Sequence, residues 1–161
     1  MWFAAKQSIN QKNATMRKFM IVLAAVMVSL GCRAADMGDT PIKAEALPSA
    51  AKKFLKATFP SCNVLYVSKD VDFAAVEYTV GLECGYKVEF DGKGVWTDID
   101  GKGKALPESV IPETIRKSVE QRFPGNVVTE ISKERGGYEV KLSSDLEVKF
   151  NNAGEILEVD D

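Results

Sequence analysis

The chain has 161 residues, of which 45% are hydrophobic and 27% are charged, with three cysteines, no histidine and a formal net charge of −2. Such a length usually forms one domain, and the apolar fraction is sufficient for a packed core. The missing histidine excludes nucleophiles activated by imidazole and every zinc site that needs a histidine ligand. No nucleophile in the chain therefore has a histidine as its base, and we expect no enzymatic activity.

Residues 1–34 have the layout of an export signal, with Met16 as a candidate start. Arg17 and Lys18 precede a run of twelve residues, Phe19–Leu30, that is apolar except for Ser29, and small residues follow it. A membrane span needs about 20 apolar residues, so no transmembrane segment is expected in the mature protein. The predicted location is the periplasm.

The same segment allows a second interpretation, a lipoprotein signal. Ser29 to Cys32 has the small residues of a lipobox, although Ser29 stands where an aliphatic residue is usual. Cys32 would then be lipidated, and the alternative locations are the outer membrane or the exterior. On this alternative the protein is an envelope-associated structural or interaction lipoprotein.

Residues 35–161 form the predicted mature domain, which is clearly acidic. They hold 16 Lys and Arg against 23 Asp and Glu, a net charge of −7, because all five basic groups of the leader are removed. This charge repels phosphate backbones, so no nucleic-acid partner is expected. It favours a basic surface on another exported or envelope protein.

The mature domain reads as one unit written twice, over residues 42–100 and 106–160. Two motifs near the start of each unit match at an offset of 64, and two later motifs match at an offset of 60. The matched pairs are Leu47-Pro48 with Ile111-Pro112, Phe59-Pro60 with Phe123-Pro124, Tyr78–Leu82 with Tyr138–Leu142, and Val88–Phe90 with Val148–Phe150.

Each unit begins with a helix and continues with four short strands. Apolar residues at helical spacing follow each Leu-Pro or Ile-Pro pair, and the next proline ends the helix. A shorter helical stretch is predicted before each, at 42–46 and 108–111. The strands are predicted, in chain order, at 63–68, 76–82, 86–89, 95–99, 127–133, 138–142, 146–149 and 156–159.

Apolar and polar side chains alternate along these strands, so one face of the sheet is dry and the other is wet. This predicts an α+β fold of two tandem α-β4 repeats, with the helices on one face of an antiparallel sheet. A lone unit of 60 residues is marginally stable, so we expect the two units to share one core or sheet.

The repeated unit resembles a known family at this point. Its motifs LP-x-x-A-x-x-F, FP and V-x-F-D-x-x-G-x-W are similar to those of PepSY-like, putative beta-lactamase-inhibitor-like proteins exported by Bacteroides-type bacteria. The resemblance covers about Ile42 to Asp160 and implies a two-layer α+β fold, a non-enzymatic binding role and no cofactor. The resemblance also implies that the protein inhibits a hydrolase by binding to it. Ile156 departs from the pattern where the first unit has Trp96.

The wet face of the sheet is the predicted binding surface. Strand alternation puts Tyr66 on the other face of its strand from Leu65 and Val67, and Trp96 on the other face from Val95 and Ile99. Both aromatic rings are therefore expected to point outward, as residues of a contact surface would. The alternative is that they only cover sheet edges or contacts between the units. The candidate binding residues are Tyr66, Trp96, Lys87, Glu89, Lys141 and Lys149.

Two further patterns bear on covalent and metal chemistry. Pairing the first two strands brings Cys62 and Cys84 to one end of a hairpin, where they form either a disulfide or two separate thiols. Asp98–Gly103 partly matches a calcium loop, but its glycine is misplaced and no glutamate stands at position twelve. We therefore expect a flexible acidic linker there and no metal.

Overall fold

The protein is described by a computed structural model over residues 39–72 and 75–160. The predicted export signal, the candidate start Met16 and the candidate lipidation site Cys32 lie outside these residues. Part of the connection between the first two long strands, residues 73–74, also lies outside them.

The described residues form an α+β fold, as predicted, in which one antiparallel sheet of nine strands follows the order of the chain. The helices are α1 (Ser49–Thr58) and α2 (Glu113–Arg122), each preceded by a short 3-10 helix (Ala44–Ala46 and Glu108–Val110). The strands are β1 (Thr40–Pro41), β2 (Val64–Asp72), β3 (Ala75–Leu82), β4 (Lys87–Asp91), β5 (Trp96–Asp100), β6 (Val128–Glu134), β7 (Gly137–Leu142), β8 (Glu147–Asn151) and β9 (Ile156–Asp160).

Both long helices begin directly after a proline and end at a phenylalanine. Pro48 and Pro112 precede the first helical residue, a place where the missing proline N–H costs nothing. Each helix buries an apolar stripe against the sheet, and the phenylalanine that follows it donates its backbone N–H to the carbonyl four residues earlier. The buried helix residues are Ala51, Leu55, Ile115 and Val119.

The core is organised around one row of aliphatic side chains that crosses the sheet from β2 to β9. Each member pairs directly with the next across a strand boundary, so all of them share the face that carries the helices. β-branched residues suit such a pleated, packed surface. All members except the last, Val159, are buried, and each buried one contributes about 1.5–3 kcal/mol. The row is Val67, Val80, Val88, Ile99, Ile131, Val140, Val148 and Val159.

Three features differ from the expectation drawn from the sequence. β2 continues four residues past the predicted end at residue 68, because it pairs with β3 as far as Asp72. β1 was not predicted, since two residues carry no periodicity. Asp98 and Asp100 belong to β5 and pair with β6, so they are not part of a flexible linker.

The end of the hairpin formed by β2 and β3 is held by Cys62 and Cys84. Their sulfur atoms are bonded, and their Cα atoms lie 5.6 Å apart. The corresponding end of the hairpin formed by β6 and β7 is held by hydrogen bonds instead. There the Asn126 carboxamide oxygen accepts from the Ser143 hydroxyl at 3.3 Å and from the Ser144 backbone N–H at 3.1 Å.

We predict that replacing both Cys62 and Cys84 by alanine lowers the free energy of unfolding by about 2–4 kcal/mol, because the unfolded chain loses a cross-link that closes a loop. Urea unfolding with and without dithiothreitol measures this effect. Reductant should destabilise the wild type and leave the variant unchanged.

The matched control removes the polar contacts of the other hairpin with Asn126→Ala. This variant should lose about 1 kcal/mol of its free energy of unfolding for each hydrogen bond removed. The loss should be the same with and without reductant. Two free thiols in the unreduced mature protein at positions 62 and 84 would contradict the prediction.

Candidate functional site

The face of the sheet opposite the helices is lined by polar and charged side chains. Two rows cross it from β2 to β9, and in them eight carboxylates face only three lysines. The first row is Tyr66, Gly81, Lys87, Asp100, Glu130, Lys141, Glu147 and Asp160. The second is Ser68, Thr79, Glu89, Asp98, Ser132, Glu139, Lys149 and Glu158. We call this surface the acidic face.

Tyr66 lies on the acidic face near one edge of the sheet. It pairs with Gly81, and a side chain added at Gly81 would meet the Tyr66 ring, with Cε1 only 2.0 Å from the added Cβ. The ring therefore lies over the space that the glycine leaves open. Because the tyrosine remains 49% exposed, it can still contact a partner.

Trp96 lies on the helix face, so the expectation that it points outward is wrong. The register between β4 and β5 shifts by one residue after the Glu89–Asp98 pair, which sets Trp96 opposite the buried Phe90. Its ring lies 6.3 Å from Phe54 of α1, and the Lys133 ammonium lies 3.9 Å from its centroid. A bulge reverses the face that simple alternation predicts.

The most strongly charged part of the acidic face lies where β4, β5 and β6 meet. Asp100 stands directly opposite Glu130, and Asp98 stands opposite Glu89. Lys87 supplies the cation of this group, with its ammonium 2.9 Å from a Glu89 carboxylate oxygen. We call these five residues the acidic cluster.

Asp98 is the residue of the acidic cluster that is most affected by its surroundings. One of its carboxylate oxygens is buried and has no hydrogen-bond partner in the described residues. Burial, followed by the negative charges of Glu89 and Glu130, raises the pKa of Asp98 from its usual 3.8 to about 7. The side chain is therefore held partly protonated near neutral pH.

The neighbours of Asp98 are shifted in ways that fit the same crowding. Burial, followed by the charge of Asp100, raises the pKa of Glu130. Burial alone would lower the pKa of Lys87, but its hydrogen bond to Glu89 and the nearby carboxylates raise it. A buried group of carboxylates thus keeps one lysine firmly charged.

Asp100 and Glu130 also line a cavity of about 290 Å³ beside the acidic cluster. The Lys102 ammonium reaches one Asp100 oxygen at 2.6 Å, while the Lys102 backbone N–H donates to the other. Burial would raise the pKa of Asp100, but these contacts with Lys102 lower it. Lys141 also lines the cavity, and its ammonium lies 3.3 Å from Asp145.

Of the candidate binding residues, Lys87, Glu89, Lys141 and Lys149 all lie on the acidic face. Lys149 contacts Glu158 of β9, and its ammonium lies 3.8 Å from Asp160. The hydrogen bond to Glu158 raises the pKa of Lys149.

Glu130 and the convergence of Asp98 with it were missed from the sequence. The alternation of β6 would have placed Glu130 outward, but only the pairing of β5 with β6 brings the carboxylates together. Within the described residues, no three acidic or cysteine side chains are grouped as metal ligands. In the same part of the chain, neither helix combines the length and apolar character needed to cross a lipid bilayer.

Comparison with known proteins gives this fold a family. The model described as "Putative beta-lactamase-inhibitor-like, PepSY-like" matches residues 35–83 and 76–158. The chain belongs to this family. The resemblance seen in the repeated motifs is thereby confirmed. None of the curated proteins matches the chain at a significant level.

Three similar solved structures come from Bacteroides. One from Bacteroides vulgatus, described as a putative periplasmic protein, is 35% identical with a TM-score of 0.73, over 80% of this chain and 100% of that one. One from Bacteroides thetaiotaomicron, described as a putative calcium-regulated periplasmic protein, is 35% identical with a TM-score of 0.72, over 76% and 97%. A second Bacteroides vulgatus protein, of unknown function, is 34% identical with a TM-score of 0.73, over 77% and 100%.

These relatives support the expected location, and the protein is periplasmic. They are described as periplasmic proteins without an assigned activity, and no enzyme family is indicated.

We predict that the contribution of Asp98 to the free energy of unfolding decreases as pH rises from about 4 to about 7. The folded state binds the Asp98 proton more tightly than the unfolded state, because its pKa is raised from 3.8 to about 7. The stabilisation is therefore complete below pH 3.8 and is lost as pH passes through 7.

Asp98→Asn should flatten this part of the profile and raise the free energy of unfolding at pH 8 by at least about 1 kcal/mol, since the amide carries no charge. Urea unfolding at pH 5 and pH 8 measures the difference. Asp145→Asn, in an exposed turn, is the control and should leave the profile as it is. An unchanged profile in Asp98→Asn would contradict the assignment.

Proposed function

We propose that the protein is a non-enzymatic periplasmic binding module that holds a partner protein on its acidic face. The single observation that carries the proposal is the acidic cluster, in which Asp98 keeps a buried oxygen without a partner on a face that the helices leave uncovered. Polar groups in this state cost free energy in the isolated protein. A cationic group from a partner, placed beside the cluster, would offset the negative charges that surround Asp98.

The arrangement of charge favours a basic partner. Asp100 and Glu130 stand side by side with like charge, while Lys87 is engaged with Glu89 and Lys102 with Asp100. An incoming lysine or arginine beside Asp100 and Glu130 would form charge-assisted hydrogen bonds in a partly desolvated place, where such bonds are strong. The adjoining cavity of about 290 Å³ offers room for a long side chain.

Tyr66 would provide an aromatic contact at the edge of the same surface. Tyrosine is enriched at interface positions that dominate binding, because it gives a large contact area with little conformational freedom to lose. Its half-exposed ring lies in the same row as Lys87 and Asp100. The predicted partner surface is therefore basic at its centre and apolar on the Tyr66 side.

We also propose that the mature domain consists of two copies of one α-β4 unit, over residues 42–100 and 106–160. Equivalent strand pairs support this proposal, because they share the same register at an offset of 60 residues. Val80 pairs with Val88 as Val140 pairs with Val148, and the shift before Trp96 recurs before Ile156. The two copies give the acidic face its length.

We predict that Glu130→Lys weakens retention of the partner at least tenfold, since it places a cation where the partner's cation would lie. The immobilised protein is exposed to a periplasmic extract of its host at low salt, and the bound protein is identified and then titrated against the purified variants. Binding should weaken as salt rises.

The matched control is Glu120→Lys, which makes the same change at an exposed position of α2 on the other side of the molecule. It should bind like the wild type, and both variants should unfold at similar temperatures. Equal binding by wild type and Glu130→Lys would contradict the proposal.

The family description suggests one specific partner class, the beta-lactamases. If the partner belongs to this class, the protein should slow hydrolysis of a chromogenic cephalosporin by an enzyme from the same host, and Glu130→Lys should restore the rate. No change in rate across a panel of such enzymes would remove this class and leave the binding proposal to the retention experiment.

A further inference from the structure

We infer that the free edge of β9 is a second binding site, which accepts an extended strand with an apolar residue flanked by basic ones from a partner. In residues 39–72 and 75–160, β9 pairs only with β8. An edge strand of this kind presents backbone N–H and C=O groups that can pair with another chain.

The pairing of β5 with β6 shows what completes such an edge. β5 pairs with β4 in the same register in which β9 pairs with β8, including the shift that precedes Trp96 and Ile156. On its other side, β5 is covered by β6, with Ile99 opposite Ile131. The edge of β9 is therefore the edge of β5 without its neighbour.

The exposed fractions of equivalent side chains in β5 and β9 show how much burial β9 lacks without a neighbouring strand. Ile99 is 0% exposed beneath its neighbour Ile131, whereas Val159, at the equivalent place in β9, is 46% exposed. Leu157, beside it, is 66% exposed. A strand added to β9 would bury Val159 in the way that β6 buries Ile99, and would extend the aliphatic row by one member.

The charges of β9 select the occupant. Glu158 and Asp160 flank Val159, and a strand in the register of β6 would place its own side chains directly opposite both. Opposite charges across such a pair stabilise it and like charges destabilise it. The neighbouring strand should therefore carry lysine or arginine on either side of an apolar residue.

A second copy of this chain does not meet these requirements. Two β9 strands paired antiparallel around Val159 would set Glu158 of each copy against Asp160 of the other. The strand that corresponds to β6 in the first half of the domain is β2, and its edge is already covered by β1. Thr40 and Pro41 pair with Lys69 and Ser68, and the Ile42 N–H donates to the Val67 carbonyl.

The test uses two peptides with the sequence of residues 127–134, Val-Val-Thr-X-Ile-Ser-Lys-Glu, in which X is glutamate, as in the chain, or lysine. Each is titrated into the 15N-labelled mature protein and followed by NMR. The lysine peptide should bind about tenfold more tightly, with shift changes concentrated in β8 and β9, because X would face Asp160. The same peptide with proline at its isoleucine should not bind.

The charge swap Asp160→Lys should reverse the preference between the two peptides, and Val159→Asp should abolish binding of both. Thermal unfolding should be unchanged in Asp160→Lys, which lies at an exposed position. Val159→Asp places a charge beside buried Val148 and should lower the unfolding temperature, so its binding is measured where the variant is fully folded. No binding, the same affinity for both peptides, shifts centred on Asp98, or self-association lost in Val159→Asp would each overturn the inference. None of these results affects the Glu130→Lys experiment, which reports on the other surface.

Discussion

The pairing of β5 with β6 is the interaction on which the remaining structure depends. It joins residues 39–100 to residues 101–160 through Ile99 and Ile131, both of which are fully buried. With this pairing, a five-stranded segment (β1 to β5) and a four-stranded segment (β6 to β9) become one sheet, and the aliphatic row runs without a break beneath both helices. The buried residues of both segments then belong to one core, which a domain of this size needs for stability.

The same pairing creates the acidic cluster, because side chains of a strand alternate between the two faces. Once Ile99 and Ile131 face the helices, Asp98, Asp100 and Glu130 must lie together on the other side. A slip by one residue would separate the carboxylates but would expose the isoleucines. Burial of the two isoleucines on the dry face therefore fixes a register that keeps the repelling carboxylates close together. The free energy of core packing offsets the repulsion in the candidate site.

Much of this fold could be predicted from the sequence, because the spacing of apolar residues and the residues that end helices and strands are local features. The helices after Pro48 and Pro112 and the strands from β2 to β9 follow from spacing and turn residues, with most ends within one or two positions. The face of Trp96 could not be predicted, because one inserted residue, Thr97, reverses the alternation. The proximity of Asp98 and Asp100 to Glu130 could not be predicted either. It depends on the pairing of β5 with β6, whose facing residues Asp100 and Glu130 are 30 positions apart in the sequence.

The two hairpin ends, one covalent and one polar, have a consequence for when the protein becomes fully stable. The hydrogen bonds of Asn126 can form in any aqueous compartment, whereas the bond between Cys62 and Cys84 needs an oxidising one. In a reducing compartment the chain has only the polar half of this arrangement. Arrival in the periplasm supplies the other half, so the first segment of the domain matures at its destination.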